Sequence, residues 1–190
     1  MQKLNKYWWV LLIIVPILFY RKILMMLNTI GLIDKLPALV TDRNVMAFLK
    51  MIRYCEGTAA PAGYSMLFGG KLFTGFADHP RQSFRFTDKL GRSLTTSAAG
   101  AYQFQRGTWD ECKKALGLKD FMPDSQDKAA IYLIARRGAL DLVKAGNVKG
   151  AINKLGNEWA SLPSASIAQP RKSLTDCINV YKKNGGQVAV

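Results

Sequence analysis

A long stretch punctuated by glycines constrains the fold more than any other feature of the chain. It covers residues 58–97, where short apolar and aromatic runs are separated by glycines such as Gly63, Gly69, Gly70 and Gly75. Two of these runs lie at residues 71–74 and 83–87, and the second alternates with period two, as strands do. The stretch therefore predicts a small, irregular antiparallel sheet with long loops.

Helical patterns lie on both sides of this stretch. Before it, Asp42 can cap a helix whose apolar residues recur at helical spacing and which runs to about Cys55, with Gly57 as the stop. After it, residues 108–111 match a capping box and predict the start of another helix. Further helices are predicted at about 125–137 (capped by Asp124 or Ser125 and ended by Gly138), 139–145, 148–160 and 172–184. One helix, a small sheet and then a run of helices is an α+β arrangement.

A strongly apolar segment precedes this domain. Residues 7–20 are uninterrupted apolar or aromatic and are flanked on both sides by Lys or Arg. As a helix they would span about 21 Å of the ~30 Å hydrocarbon core, so a crossing needs residues 23–33 as well. No small-residue cleavage site follows, which favours an uncleaved signal anchor over a removed signal peptide, with a buried core helix as the alternative. We expect a membrane helix and signal anchor at 1–33, a linker at 34–41 and a folded domain at 42–190.

The formal charge of +14 comes from 27 basic and 13 acidic side chains. Residues 1–50 hold seven of the basic and two of the acidic ones, so both parts of the chain carry an excess of positive charge. Such a protein is attracted to anionic polymers. Because no basic run and no aromatic-interleaved basic motif occurs, we expect no nucleic-acid partner and favour an anionic cell envelope.

The three cysteines are Cys55, Cys112 and Cys177. An odd number does not form a disulfide framework, and none of them has the paired spacing of a zinc site. If the domain is exported, one pair could oxidise, with three possible pairings. Otherwise the cysteines are small buried hydrophobic residues.

Glu56 is the candidate catalytic residue, at the end of the first predicted helix of the domain. Acid-catalysed cleavage of a glycosidic bond needs a carboxylic acid that is still protonated at the working pH, and apolar surroundings raise a carboxyl pKa. The alternative is an ordinary exposed glutamate at a helix end. Hydrolases usually add a second carboxylate, but only Asp78 and Asp88 lie between Glu56 and Gly100. A mechanism in which one carboxyl first gives and then takes a proton remains open.

Nine short segments carry a family resemblance because they keep the family's order and nearly its spacing. They lie at residues 47–49, 56–58, 69–74, 78–81, 99–103, 116–121, 125–127, 137–140 and 159–163. From Ala47 onward the chain resembles the lambda-type phage endolysins, which are lytic transglycosylases of bacterial cell walls. Phage lysozymes of the T4 type instead place Asp and Thr where this chain has Ser65 and Lys71. The resemblance does not cover residues 1 to about 44.

The resemblance implies a mainly helical, lysozyme-like fold that acts on peptidoglycan without a metal or cofactor. The bond cleaved would be the β-1,4 link between N-acetylmuramic acid and N-acetylglucosamine. Glu56 would protonate the leaving oxygen, and the 6-hydroxyl of the muramic acid would attack the anomeric carbon to give a 1,6-anhydro sugar. No water is consumed, which agrees with the missing second carboxylate.

The same resemblance implies a set of residues on the substrate side: His79, Ser97, Gly100, Tyr102, Gln103, Trp159, Leu162 and Gln169. Gly100 would let the backbone approach the sugar, and the phenol of Tyr102 and the amide of Gln103 could bond to it. Trp159 could present an apolar face to a sugar ring. Core packing is the alternative for Tyr102 and Trp159. For His79, a structural hydrogen-bonding role is the alternative to positioning the substrate.

The chain departs from the family pattern in one place. After Leu162-Pro163 the family carries Gly-Tyr-Gly-Gln, whereas here Ile167 takes the place of the tyrosine and cannot donate a hydrogen bond, while Gln169 could still take part. The N-terminal segment resembles the signal anchors of some phage endolysins. We therefore expect a monomer at the host inner membrane whose catalytic domain faces the periplasm. The alternatives are a lysozyme-type hydrolase of the same bond, or a cationic membrane-binding or wall-binding protein.

Overall fold

The structure is a computed structural model that describes residues 20, 28–88, 90–165 and 172–189. The chain divides into two compact units, Met1–Lys35 and Leu36–Val190. Most of the expected signal anchor lies outside the described residues, and so do Ile167 and Gln169. Among the residues that are described, no helix has the length and apolar character needed to span a membrane.

Residues 28–39 form a helix, α1. The linker expected at 34–41 is therefore helical as far as residue 39, and only residues 40 and 41 form a turn. Leu36 and Leu39 are both buried. Their burial offsets the helical hydrogen bond that Pro37 cannot donate, which is why this proline does not end the helix.

Helix α2, Arg43–Cys55, confirms the prediction at both ends. The carboxylate of Asp42 accepts a hydrogen bond from the backbone N–H of Val45 at 2.9 Å, so it caps the first turn. The apolar face of the helix is buried, and Gly57 leaves the helix direction at φ +75°. Glu56 is consequently fixed directly after the last helical residue.

The small sheet is a two-stranded antiparallel hairpin of β1, Phe84–Thr87, and β2, Ser93–Thr96. Phe84 lies opposite Thr96 in its register. The period-two run at 83–87 is thus a strand, as predicted. The run at 71–74 is not a strand and contributes only an isolated bridge between Met66 and Leu72.

Helix α3, Arg106–Leu116, begins earlier than the capping box at Thr108 predicts. The backbone N–H of Arg106 instead donates to the hydroxyl of Ser97 at 3.0 Å. Because the cap comes from a loop nine residues earlier, the local pattern around Thr108 gave the wrong start.

The remaining helices confirm the predicted series: α4, Pro123–Arg136; α5, Leu140–Lys144; α6, Val148–Leu155; and α7, Leu174–Lys183. Neither Asp124 nor Ser125 caps α4, because the helix already begins at Pro123 and both residues lie in its first turn. The Ser125 hydroxyl instead donates to Asp120. Helix α6 ends at Leu155 rather than residue 160. Helix α7 packs mainly against α2.

An aromatic cluster around Phe121 forms the centre of the core. The ring of Phe121 lies 4.5 Å from that of Trp109 and 5.2 Å from that of His79, measured between centroids, with both pairs edge to face. Phe104 joins the same cluster. The cluster packs the loops before the hairpin against α3 and thereby fixes the segment 99–104 that leads to the candidate site.

Candidate active site

Glu56 lies half-buried at the C-terminal end of α2. Its Oε1 accepts a hydrogen bond from the Ser161 hydroxyl at 2.6 Å. Burial raises the pKa of Glu56 to about 7, although the Ser161 bond acts in the opposite direction. Glu56 is thus not the exposed helix-end glutamate of the alternative interpretation, and its carboxyl group holds a proton at a higher pH than an ordinary glutamate.

The two acids between Glu56 and Gly100 have partners of their own. All thirteen Asp and Glu residues lie within the described part of the chain, and only burial and Ser161 shift the Glu56 pKa. Asp78 accepts hydrogen bonds from Arg81, Lys113 and Trp109. Asp88 pairs with Arg92 in the hairpin turn. Both acids between Glu56 and Gly100 are thus paired with cationic side chains.

Two loops meet beside Glu56. The loop after α6 supplies Ser161, and in the same loop the indole N–H of Trp159 donates to the carbonyl of Tyr102 at 3.2 Å. From the other side, the Thr58 hydroxyl donates to the carbonyl of Ala101 at 2.5 Å. The structure therefore brings Glu56, Trp159 and the segment 100–103 into one region, while their contact with a sugar stays a prediction. Leu162 is fully buried behind them.

Tyr102 is buried, and its hydroxyl donates to Asp127 Oδ1 at 2.6 Å. Tyr64 donates to the same oxygen at 2.9 Å. Burial raises the pKa of Asp127, while the two tyrosine hydroxyls lower it. Since its phenol is already bonded within the protein, Tyr102 fits the core-packing alternative, and its contact with a sugar stays a prediction.

Gly100 approaches the core closely at φ +78°. A Cβ at this position would lie 2.3 Å from Gln126 Oε1 and 2.9 Å from Phe121 Cζ. The close approach that glycine permits here is thus to two core side chains, and an approach to sugar stays a prediction. Gln103, with φ +49°, turns its amide N–H groups to the carbonyls of Gly100 and Met66.

Ser97 and His79 both have structural partners. The Ser97 hydroxyl donates to Gln105 while accepting from the first N–H of α3. His79 is buried; its Nδ1 accepts from the N–H of Arg81, so its Nε2 donates to the carbonyl of Phe104. Burial lowers the pKa of His79, although the bond to the Phe104 carbonyl acts in the opposite direction. This geometry fits the hydrogen-bonding alternative for His79. Gln169 lies outside the described residues.

Sequence reasoning missed two residues of this region, Ser161 and Asp127. Both lie in segments that carry the family resemblance. The partner of Ser161 is 105 positions away along the chain, so no local pattern connects it with Glu56. In the sequence Asp127 is indistinguishable from an ordinary acidic residue of a helix. Its contacts with Tyr64 and Tyr102 are visible only in the structure.

A cavity of about 430 Å³ lies between α2 and α7. Its lining contains three cationic side chains and no acidic one: Lys50, Arg53, Tyr54, Ala59, Val180, Lys183 and Asn184. Arg53 also lies over the ring of Tyr64 and donates to the carbonyl of Thr58. Two of the three cations, Lys50 and Arg53, thus lie on α2, which ends directly before Glu56.

Comparisons with known proteins agree on one family. The Endolysin family profile matches residues 46–188. The endolysin of Escherichia phage lambda is 40% identical over 148 residues, covering 75% of this chain and 91% of the relative. The endolysin of Escherichia phage P2 is 38% identical over 162 residues, covering 80% and 98%.

Solved structures give the same result for the fold. Bacteriophage lambda lysozyme complexed with a chitohexasaccharide superposes with a TM-score of 0.68 at 38% identity, covering 77% of this chain and 96% of that one. A second structure of lysozyme from bacteriophage lambda has a TM-score of 0.67. The expected mainly helical, lysozyme-like fold with a small antiparallel sheet is confirmed.

Proposed function

Because the chain belongs to the endolysin family, we propose that it degrades bacterial peptidoglycan for host cell lysis, with Glu56 as the catalytic group. The observation that carries this proposal is the half-buried Glu56 carboxyl, whose pKa is raised to about 7. Such a group is available as a general acid at neutral pH. The bond cleaved is the β-1,4 link between N-acetylmuramic acid and N-acetylglucosamine.

The reaction is a lytic transglycosylation. Glu56 gives its proton to the bridging oxygen as the bond from that oxygen to the anomeric carbon breaks. The 6-hydroxyl of the muramic acid forms the new bond to the anomeric carbon, and its proton goes to the Glu56 carboxylate. Glu56 is thereby reprotonated, the product carries a 1,6-anhydro ring, and no water enters the reaction.

The pairing of Asp78 and Asp88 with cationic side chains supports this reaction over hydrolysis. A hydrolase usually holds a second carboxylate about 5–9.5 Å from the acid. Here only burial and Ser161 shift the pKa of Glu56. Asp78, the first acid after Glu56, is neutralised by Arg81 and Lys113.

Mass analysis of digested cell walls tests the proposal. The purified full chain is expected to release anhydro-muropeptides, and Glu56→Gln is expected to release none while keeping its circular dichroism spectrum. Asp141→Asn, which changes an exposed acid on α5, serves as the matched control and should digest normally. Fragments with reducing ends would assign the enzyme to the hydrolases, and an active Glu56→Gln would remove Glu56 from its role.

We also propose that residues 1–33 hold the protein at the host inner membrane, with residues 42–190 facing the periplasm. The support is the uninterrupted apolar run at 7–20 with its basic flanks. Protease added to spheroplasts should then digest the catalytic domain of membrane-bound protein. A domain that stays protected until the membrane is lysed would contradict this orientation. Killing by Glu56→Gln as fast as by the parent would instead favour a cationic membrane-disrupting protein.

A further inference from the structure

Two of the three cysteines are in contact although they lie 122 positions apart in the chain. Cys55 is the last residue of α2, and Cys177 lies in the first half of α7. Their sulfur atoms are 3.4 Å apart. A disulfide bond is about 2 Å long, so the two sulfurs need to move together by little more than 1 Å.

Cys112 provides a contrast within the same molecule. It is as buried as Cys177, but its sulfur contacts the carbonyl of Ala129 at 4.0 Å and not another thiol. Of the three pairings that the sequence leaves open, the fold therefore selects one. The other two would require Cys112 to leave the packing between α3 and α4.

We propose that Cys55 and Cys177 are a disulfide site that cross-links the end of α2 to α7 when the chain meets a disulfide-bearing oxidant. The two thiols and one molecule of oxidant disulfide give the protein disulfide and two oxidant thiols. In the first step one protein thiolate attacks the oxidant disulfide and expels an oxidant thiolate. In the second step the other protein sulfur attacks the resulting mixed disulfide and releases the second oxidant thiol.

Both thiols are buried in the folded protein. The oxidant therefore reaches one of them before α7 has docked on α2, as during folding. Docking of α7 then brings the second sulfur to the mixed disulfide, since the two sulfurs are in contact in the folded protein.

The cross-link acts on the element that carries the candidate catalytic group. Cys55 directly precedes Glu56, and α2 and α7 form both walls of the cationic cavity. A bond between them keeps the C-terminal helix docked beside the Glu56 end of α2. It also closes a very long loop, which restricts the unfolded chain strongly. We expect oxidation to raise the melting temperature by on the order of 10 °C.

Thiol mapping tests the proposal without using enzymatic activity, so its result is independent of the proposed function. The full chain is refolded in a glutathione redox buffer, and the remaining thiols are alkylated under denaturing conditions. Peptide mass analysis should recover a Cys55 peptide joined to a Cys177 peptide, with Cys112 alkylated. Three alkylated cysteines, or a linked pair that contains Cys112, would overturn the proposal.

Cysteine-to-alanine variants give the matched comparison. The difference in melting temperature between oxidised and reduced protein should persist in Cys112→Ala and disappear in Cys55→Ala and Cys177→Ala. Cys112→Ala controls for the loss of a buried thiol as such. A difference that persists in Cys177→Ala would sink the proposal, and the mapping of the parent chain decides the matter if a variant does not fold.

Discussion

The environment of Glu56 predicts a pH dependence of activity at the scale of a single residue. The general acid must be protonated, and burial raises its pKa to about 7. Activity in the free enzyme should therefore be high below this pH and fall as the pH rises through about 7, roughly tenfold per unit beyond it. Initial rates of wall digestion from about pH 3 to 9 measure this limb. A fall centred near the ordinary glutamate pKa would show that Glu56 is not a buried acid in solution.

Ser161 also affects the pKa of Glu56. Its hydroxyl bond favours the charged carboxylate and lowers the Glu56 pKa against the effect of burial. Ser161→Ala should therefore move the falling limb of the pH profile to higher pH. Ser164→Ala is the matched control. Ser164 lies in the same loop as Ser161, but its hydroxyl donates to the carbonyl of Ile152 in α6 and not to Glu56. A profile that shifts equally in both variants would point to loop disruption.

Tyr102 allows its two candidate roles to be separated. Tyr102→Phe removes a hydroxyl that donates to the buried Asp127 at 2.6 Å, so we expect the free energy of unfolding to drop by about 1–3 kcal/mol. Tyr64→Phe, which removes the other tyrosine bond to Asp127, should cost a similar amount. Urea unfolding measures both values, and KM is measured beside them. An unchanged stability with a raised KM in Tyr102→Phe would favour the sugar-binding role instead.

At the scale of elements, Gly100 is a position where the fold tolerates no side chain. Ala at this position would combine a left-handed φ of +78° with a Cβ 2.3 Å from Gln126 Oε1. Gly117, at the end of α3, has φ +65° and open space around it. We expect Gly117→Ala to cost about 1 kcal/mol and Gly100→Ala to cost several times more. Equal losses in denaturant unfolding would mean that Gln126 and Phe121 move aside freely.

A helix could be predicted from the sequence where the residues that cap and end it are its neighbours in the chain. Helix α2 is an example, since its Asp42 cap and the Gly57 stop are both local. The start of α3 could not be predicted in the same way, because the first N–H of that helix donates to Ser97, which lies outside it. Local signals identify a helix well, but a cap supplied by a folded loop becomes visible only in three dimensions.

The residues of the candidate site also differ in whether they could be predicted from the sequence. Glu56 could be named as the candidate because acid catalysis needs a carboxyl group in apolar surroundings. The hydrogen-bond partners of the other candidate residues could not be predicted. Whether Tyr102 or His79 faces a sugar depends on Asp127 and on the carbonyl of Phe104, which are 25 positions away from them along the chain. Long-range hydrogen bonds of this kind leave no periodic pattern in a sequence.

At the scale of the whole molecule, the excess of positive charge predicts an electrostatic attraction between the protein and peptidoglycan. The chain carries a net charge of +14, and Lys50 and Lys183 line a cavity without acidic residues. Peptidoglycan carries carboxylates on its peptides, so long-range attraction should raise its local concentration around the enzyme. This attraction acts through solvent and is screened over about 10 Å at 0.1 M salt.

Binding to isolated walls should therefore weaken several-fold as salt rises from about 0.05 to 0.5 M. Glu56→Gln in the full chain is the suitable protein, because the walls then stay intact during a sedimentation assay. Neutral chitin is the control polymer, and binding to it should change little with salt. Lys50→Gln with Lys183→Gln should weaken wall binding no more than Lys119→Gln with Lys144→Gln, since a general field depends on net charge and not on position. Binding to walls that is insensitive to salt would show that contacts with the sugars alone hold the enzyme.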